Sequence, residues 1–295
     1  MTTLWQQINA PAKFNLCLQV LKKRKDGYHE LLSFAGFTQF GDRLSVCVQP
    51  QDKMEYEGPF ADALVRAGGD SLCKKLYRGL REAGYDLPPL HIRLEKNIPL
   101  GGGLGGGSTD AAALLRLISD KILPLTLSSE EVFEQAAKIG ADVPVCLYPG
   151  WQIMTGTGTK RRPVSLPVDS DIPIYVVLAN PGLPLSTAEI FDGLSEYSVS
   201  AESQLVDYIQ QGDLEKIIAI GNDLTAPAVA RYPEIARLIE VLGQPHKGFI
   251  GSGMSGSGSS CFSLTTDKSS AQFLAQGLKK KGFWAHTTEI LVPDK

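Results

Sequence analysis

The chain has 295 residues, 43% of them hydrophobic, and a formal net charge of −3, enough for one large domain or two ordinary ones with a sizeable core. The near balance of charge gives no electrostatic reason to expect nucleic acid or an anionic membrane as partner, and no run approaches the roughly 18 apolar residues of a membrane span. Five cysteines, at 17, 47, 73, 146 and 261, are odd in number and lack C-x-x-C spacing, which speaks against a disulfide framework or a zinc site and for buried thiols in a reducing compartment.

The first residues carry neither a cationic start nor an apolar core, so a cytoplasmic location is expected. Ala12, Phe14, Leu16, Leu18 and Val20 then alternate with Lys13, Asn15, Cys17 and Gln19, a period of two that predicts a strand. Lys13 and Asn15 fall on the same face, away from its apolar side. The cations at 22–25 meet Asp26-Gly27, a turn signal, before Tyr28-His29-Glu30-Leu31-Leu32 resumes; four adjacent cations there read as a solvated hairpin edge. Strand-like segments follow at about 43–49 and 53–56. A helix is expected over 70–83, with Leu72, Leu76 and Leu80 in register and Gly84 as its stop.

His91-Ile92-Arg93-Leu94-Glu95 alternates polar and apolar, the pattern of a sheet with one solvated face. It runs into Pro99, Leu100, Gly101, Gly102, Gly103, Leu104, Gly105, Gly106, Gly107, Ser108, Thr109 and Asp110, in which six of seven consecutive positions are glycine. Such a run serves a loop, because each glycine inside an element costs about 1 kcal/mol relative to alanine. Ser108, Thr109 and Asp110 are helix-capping residue types, and 111–118 reads as the helix that follows. Glycines leading into a helix N-terminus let N–H groups and the positive end of the helix dipole approach an anion. The dipole supplies only about 0.3–2 kcal/mol against the roughly 4 kcal/mol of millimolar binding, so several N–H contacts or a cation must add to it. No Gly-Lys-Ser/Thr ends the run, which excludes a Walker A loop. Gly101, Gly103 and Gly106 satisfy G-x-G-x-x-G, but the half-solvated strand before them is not that of a doubly wound sheet.

Ser128-Ser129-Glu130-Glu131 is a capping box that opens a helix through Lys138, ended by Gly140. In Ala141-Asp142-Val143-Pro144 the residue before proline is expected to be extended, with strands at 145–147 and 152–155. The texture changes near 156–162, the candidate domain boundary. Beyond it come a strand at 174–178, helices near 187–194, 202–210, 213–220 and 233–242, short strands at 249–251 and 261–264, a helix at 268–281 and a last strand at 283–292. Between the two short strands, 252–260 is rich in serine and glycine, and the strands pressing on both ends favour a tight second anion loop over a linker. Strands followed by helices without regular alternation point to an α+β architecture.

Single residues leave alternatives open. Lys13 is a solvated strand residue or a functional one; Asp142 caps a turn or acts as a base; Asp110 caps the loop helix or ligates magnesium; His29 beside Tyr28 holds a base or merely closes a hairpin. The four histidines show no metal-ligand spacing and no G-x-S-x-G occurs.

Together these stretches resemble the GHMP kinases over essentially the whole length. Pro11-Ala12-Lys13-Phe14-Asn15-Leu16 with Asp26-Gly27-Tyr28-His29-Glu30-Leu31 is similar to the family's first motif, 99–113 to its second, and Gly256-Ser257-Gly258-Ser259-Ser260-Cys261-Phe262 to its third. The resemblance implies a two-domain fold, a ribosomal-protein-like ATP-binding part over 1–160 and a ferredoxin-like part over 161–295, with the active site in the cleft between them. It implies that Asp142 takes the proton from an acceptor alcohol while Lys13 steadies the aspartate and the developing charge. The glycine loop from Pro99 to Thr109 would wrap the phosphates of ATP, brought with Mg2+, and Lys96 would lie near the nucleotide. Asn15, Tyr28, His29, Thr187 and Phe191, with Gly256, Ser257 and Gly258, would hold the substrate. The Asp-Gly-Tyr-His-Glu-Leu stretch narrows that substrate to a cytidine diphosphate derivative of a methylated tetritol, phosphorylated at its C2 hydroxyl on a route to isoprenoid precursors, with Phe191 and Tyr28 as the stacking pair. The implied protein is a cytoplasmic monomer or homodimer with no nucleic-acid or membrane partner. Departures from the family pattern are Ser71 where an amide is usual near adenine, Phe14 for an aliphatic residue, and Ala188 where some members carry proline. Three rivals remain: another small-molecule kinase of this superfamily, a dinucleotide-dependent oxidoreductase, and an RNA-binding module.

Overall fold

The structure, a computed structural model, describes residues 4–69, 71–122, 130–167, 172–183 and 185–292. In chain order the first half forms β1 (Gln6–Lys23), β2 (His29–Val48), β3 (Lys53–Glu57), α1 (Ala61–Arg66), α2 (Leu72–Glu82), β4 (Leu90–Glu95), α3 (Gly106–Leu117), α4 (Glu130–Ile139) and α5 (Val143–Cys146). The second half forms β5 (Gln152–Gly156), β6 (Lys160–Pro163), β7 (Tyr175–Asn180), α6 (Thr187–Asp192), α7 (Glu202–Gln211), α8 (Leu214–Ala219), α9 (Thr225–Arg231), α10 (Pro233–Leu242), β8 (Phe249–Met254), β9 (Cys261–Thr265), α11 (Lys268–Lys280) and β10 (Trp284–Glu289). These elements gather into two compact units, each drawn from separate stretches of chain: Met1–Ala12, Gly41–Leu100 and Gly105–Tyr148 in unit 1, and Lys13–Phe40, Gly101–Leu104 and Pro149–Lys295 in unit 2.

In unit 1 the end of β2 pairs antiparallel with β4, and β3 joins the other edge of β4 in parallel, Val46 opposite Ile92 and Tyr56 beside Leu94. Ser71 caps α2 by accepting the Lys74 amide, and the helix buries Cys73, Leu76 and Leu80. α3 packs against α2 and α5 and is buried from Thr109 to Leu115, so alanines and leucines line a helix enclosed on most sides. The extended segment and strand expected at 143–147 are instead α5. Pro144 sits in the first turn, where a missing N–H costs no intrahelical bond, so the usual push of proline on its predecessor is overridden. The capping box at Ser128 and Ser129, like Asp70, lies outside the described residues.

Unit 2 holds the rest of β1 and β2, with Leu32 to Ala35 of β2 paired antiparallel to β5, and β5 hairpinned to β6. The candidate boundary at 156–162 therefore spans the turn of a hairpin. Its other sheet runs β10-β7-β9-β8 with every neighbour antiparallel. With helices after β7 and after β9, this is the ferredoxin-like β-α-β-β-α-β plan that the resemblance implied. Val177, Ala179 and Cys261 on one face of it meet Leu238 and Leu242 of α10 and Leu278 of α11 in a common core. Two short helices, α1 and α9, were not anticipated. All five cysteines are buried free thiols, and burial pushes Cys17 up to about 12.

Candidate active site

β1 does not have the solvated face its alternation predicts: residues 10–20 are buried without a break. Lys13 is 4% exposed and its Nζ donates to Asn15 Oδ1 at 3.1 Å, while Asn15 Nδ2 donates to Ser33 Oγ at 2.7 Å. The Phe14 ring, on the opposite face, packs on Phe262 at 5.2 Å. Polar side chains take one side of the strand and aromatic packing the other, so both are spoken for.

Within unit 2 the tip of the glycine loop is fastened by its carbonyls. The Lys13 amide donates to Leu104 O (3.0 Å), the Ser260 amide to Gly102 O (3.0 Å), and Ser255 Oγ to Gly103 O (2.8 Å). Ser255 Oγ in turn accepts the Asn15 amide at 3.1 Å, and Asn222 Nδ2 donates to the carbonyls of Met254 and Gly256, both at 2.8 Å. A trans peptide points its C=O and N–H in opposite directions. Because the carbonyls of Gly102, Gly103 and Leu104 are tied down, the N–H groups of Gly103, Leu104 and Gly105 are turned the other way, as an anion cradle requires. In the 255–260 turn, by contrast, the Ser255, Gly258 and Ser260 amides donate to backbone carbonyls. This segment buttresses the glycine loop, and those three amides are not available to a phosphate.

In unit 1, α3 begins at Gly106 after a left-handed Gly105 (φ 65°) that offers no side-chain cap. Ser108, Thr109 and Asp110 are therefore inside the helix rather than capping it, a correction with a simple cause: the left-handed glycine starts the helix several residues early. Thr109 Oγ1 donates to Gly106 O at 3.0 Å. Asp142 is half-buried at the start of α5, and its carboxylate does not cap that helix. Pro99 and Leu100 lead into the loop from the β4 side.

Lys96 is 2% exposed. Its ammonium donates to Asp42 and, at 2.8 Å, to Asp110 Oδ2. Burial by itself would push that ammonium down; the two carboxylates reverse the effect and hold it above its ordinary value. Asp110 is held well above the usual carboxylate range, by burial first and by neighbouring Asp42 as well, against the pull of Lys96.

Among the candidate substrate residues, His29 stacks on Phe191 (centroids 4.8 Å, planes at 26°) with Tyr197 at 6.1 Å. Tyr28 is 63% exposed, and the ring stacked on Phe191 in this structure is that of His29. The Asp26-Gly27 turn rotates Tyr28 outward, its amide donating to Asp26 Oδ1. Burial, then the nearby Lys23, lowers the His29 pKa against the opposing pull of Asp192, so the ring is neutral at pH 7. Thr187 and Ser257 share a hydroxyl–hydroxyl bond of 3.0 Å. Arg24 pairs with Asp26 and with the half-buried Glu30, and Lys23 with Asp192; the cations themselves are exposed, the solvated edge expected of that run.

Three residues of these hydrogen-bond and ring contacts escaped the sequence reading. Asn222, Asp42 and Tyr197 stand in unremarkable contexts, and only their partners distant in sequence reveal them.

Residues 71–150 match the family described as GHMP kinases N terminal domain, and residues 205–283 that described as GHMP kinases C terminal. The chain is 38% identical over 282 residues to a 4-diphosphocytidyl-2-C-methyl-D-erythritol kinase of Parvibaculum lavamentivorans, covering 93% of this chain and 94% of that protein. To the protein of the same name from Rhizobium johnstonii it is 39% identical over 272 residues, 91% and 87% of the two chains. A crystal structure of 4-(cytidine 5'-diphospho)-2C-methyl-D-erythritol kinase superposes with a TM-score of 0.74 at 30% identity, over 97% of this chain and 99% of that one. Homoserine kinase from Cytophaga hutchinsonii shares the fold, with a TM-score of 0.63 at 18% identity over 97% and 96% of the chains.

Proposed function

The chain belongs to the GHMP kinases and, within them, to the 4-diphosphocytidyl-2-C-methyl-D-erythritol kinases, and we propose on that footing that it transfers the γ-phosphoryl group of ATP to the C2 hydroxyl of 4-diphosphocytidyl-2-C-methyl-D-erythritol. The observation that carries the nucleotide half of this reading is the anchoring of Gly102, Gly103 and Leu104 by their carbonyls, which aims successive amides at one anion. Phosphoryl transfer asks a protein chiefly for position and for donors around the transferred group, and such a loop supplies both. As the acceptor oxygen bonds to the γ-phosphorus, the bond to the β,γ-bridging oxygen breaks, ADP leaves, and the hydroxyl proton passes to the Asp142 carboxylate. Lys13, held by Asn15, steadies the developing negative charge.

Mg2+ enters with ATP as part of the nucleotide substrate. Asp110 does not fit as its ligand, being buried with Oδ2 engaged by Lys96, and among the described residues no group of three or more His, Cys, Asp or Glu is placed to hold a metal. No step is assigned to a protein-bound ion. No helix among the described residues is long and apolar enough to cross a membrane, and we place the reaction in the cytoplasm.

The neutral His29 ring stacked on Phe191 offers a flat apolar surface for a pyrimidine, beside the Thr187 and Ser257 hydroxyls. Phe191→Ala is expected to raise KM for the cytidylylated substrate about tenfold, in line with the roughly 0.5–1.5 kcal/mol of an aromatic pair, and to leave KM for ATP within about twofold. Steady-state kinetics with each substrate varied in turn checks this. The reading as a whole is tested by mixing protein, ATP, Mg2+ and 4-diphosphocytidyl-2-C-methyl-D-erythritol. ADP release matched by a new phosphomonoester in the 31P spectrum is expected; turnover with homoserine or mevalonate instead would replace the assigned acceptor.

A further inference from the structure

Lys96, Asp42 and Asp110 are all but sealed from water, at 2%, 1% and 2% exposure. Burying one ammonium and two carboxylates is a poor way to gain stability, since well-packed apolar side chains in their place do as well or better. Their connections suggest registration instead. Asp42 Oδ1 accepts the backbone N–H groups of Asn97 (2.5 Å) and Ile98 (2.8 Å), the residues that lead into the glycine loop, and the Asn97 side chain returns to Gly41 O at 3.3 Å. The other oxygen of Asp42 receives Lys96 Nζ, and the same Nζ reaches Asp110, one turn into the helix by which the chain leaves the loop. A Cβ built on Gly106 would stand 3.0 Å from that ammonium, so the charge sits directly beneath the first turn of α3. Asp110 Oδ1 takes no hydrogen bond among the described residues; the carboxyl group is held by Lys96, with Asp42 beside it.

We propose that Lys96 is a positioning residue: clasped between Asp42 and Asp110, it holds the entrance and the exit of the glycine loop in register and thereby sets the ATP site without touching the nucleotide. The inference rests on reading that loop as the ATP site. A loop whose two ends can drift presents its amides in many arrangements, and binding then has to order them; a loop with fixed ends presents one.

Asp110→Ala removes the tie to α3 while leaving the Lys96–Asp42 pair whole, so it is the variant best able to fold. Its dissociation constant for Mg·ATP, measured by calorimetry, is expected to rise about tenfold, the scale of one lost charge-assisted hydrogen bond, with KM for the acceptor alcohol changed less than about twofold. Lys96→Met cuts both ties and is expected to weaken ATP binding further, about a hundredfold. In the Lys96→Met/Asp110→Leu double variant the second change should add little, because the two residues act as one unit. Variants that melt cooperatively and bind ATP as tightly as the wild type would overturn the proposal, as would a loss shared equally between ATP and the acceptor, the mark of a merely structural role. Calorimetry needs no acceptor. A wild type that binds ATP without phosphorylating the cytidylylated alcohol therefore refutes the assigned reaction while the variants still decide the role of Lys96, and a wild type that binds no ATP overturns both.

Discussion

Replacing Asp142 with asparagine is expected to lower kcat by about two to four orders of magnitude and to leave the ATP dissociation constant within about twofold. The two side chains have the same shape. The Asp142 carboxylate does not cap α5, so the exchange forfeits no helix cap. On the proposed mechanism it removes the group that accepts the hydroxyl proton, an interaction needed only as the reaction proceeds, which is why kcat and not nucleotide affinity should fall. Coupled measurement of ADP release alongside calorimetry separates the two quantities. A kcat within about tenfold of the wild type would strip Asp142 of the role and send the search for the base elsewhere.

The second large effect is expected at Gly103. An added Cβ there would lie 2.2 Å from Ser255 O and 3.0 Å from Gly258 O, on a residue with φ of +76°. Both obstacles are backbone atoms, and the turn that carries them is held by Asn222, Asn15 and Gly102, so no side-chain rotation relieves the clash. Gly103→Ala should therefore push the loop off its anchors. We expect kcat/KM for ATP to fall at least about a hundredfold, since misplaced positioning groups cost on that scale, with a lower Tm. Gly277→Ala provides the contrast. That glycine lies within α11, with nothing near the Cβ that would be added, and its replacement should stabilise the protein by about 0.5–1 kcal/mol without altering turnover. Equal kinetic behaviour of the two variants would show that the anchoring contacts are dispensable.

What could be read from the sequence was what short-range signals specify. Pro233 at the first turn and Gly243 just past the last bounded α10 at Pro233–Leu242 as anticipated, and the strand–glycine loop–helix succession from β4 to α3 was legible for the same reason. Errors arose where a distant partner decided the outcome. Alternation in β1 spoke for one wet face, but covering elements bury both. Val143 was expected to be extended before Pro144, yet the pair opens a helix. The stacking of His29 on Phe191 joins residues far apart in the chain and is not signalled by the neighbours of either. The ion pair of Lys96 with Asp42 could not be read from the sequence, because nothing in its neighbourhood of the chain announces a partner 54 positions away.

Gly105 leaves α3 permanently without an N-terminal side-chain cap. Anyone seeking a hardier version of this protein by routine helix optimisation would be drawn to that vacancy, since an aspartate or asparagine there tolerates the left-handed backbone and promises about 1 kcal/mol. On the proposed reading of the loop the gain would be self-defeating, because the new oxygen would compete for the amides assigned to phosphate. Thermal resilience and turnover are opposed at this one residue.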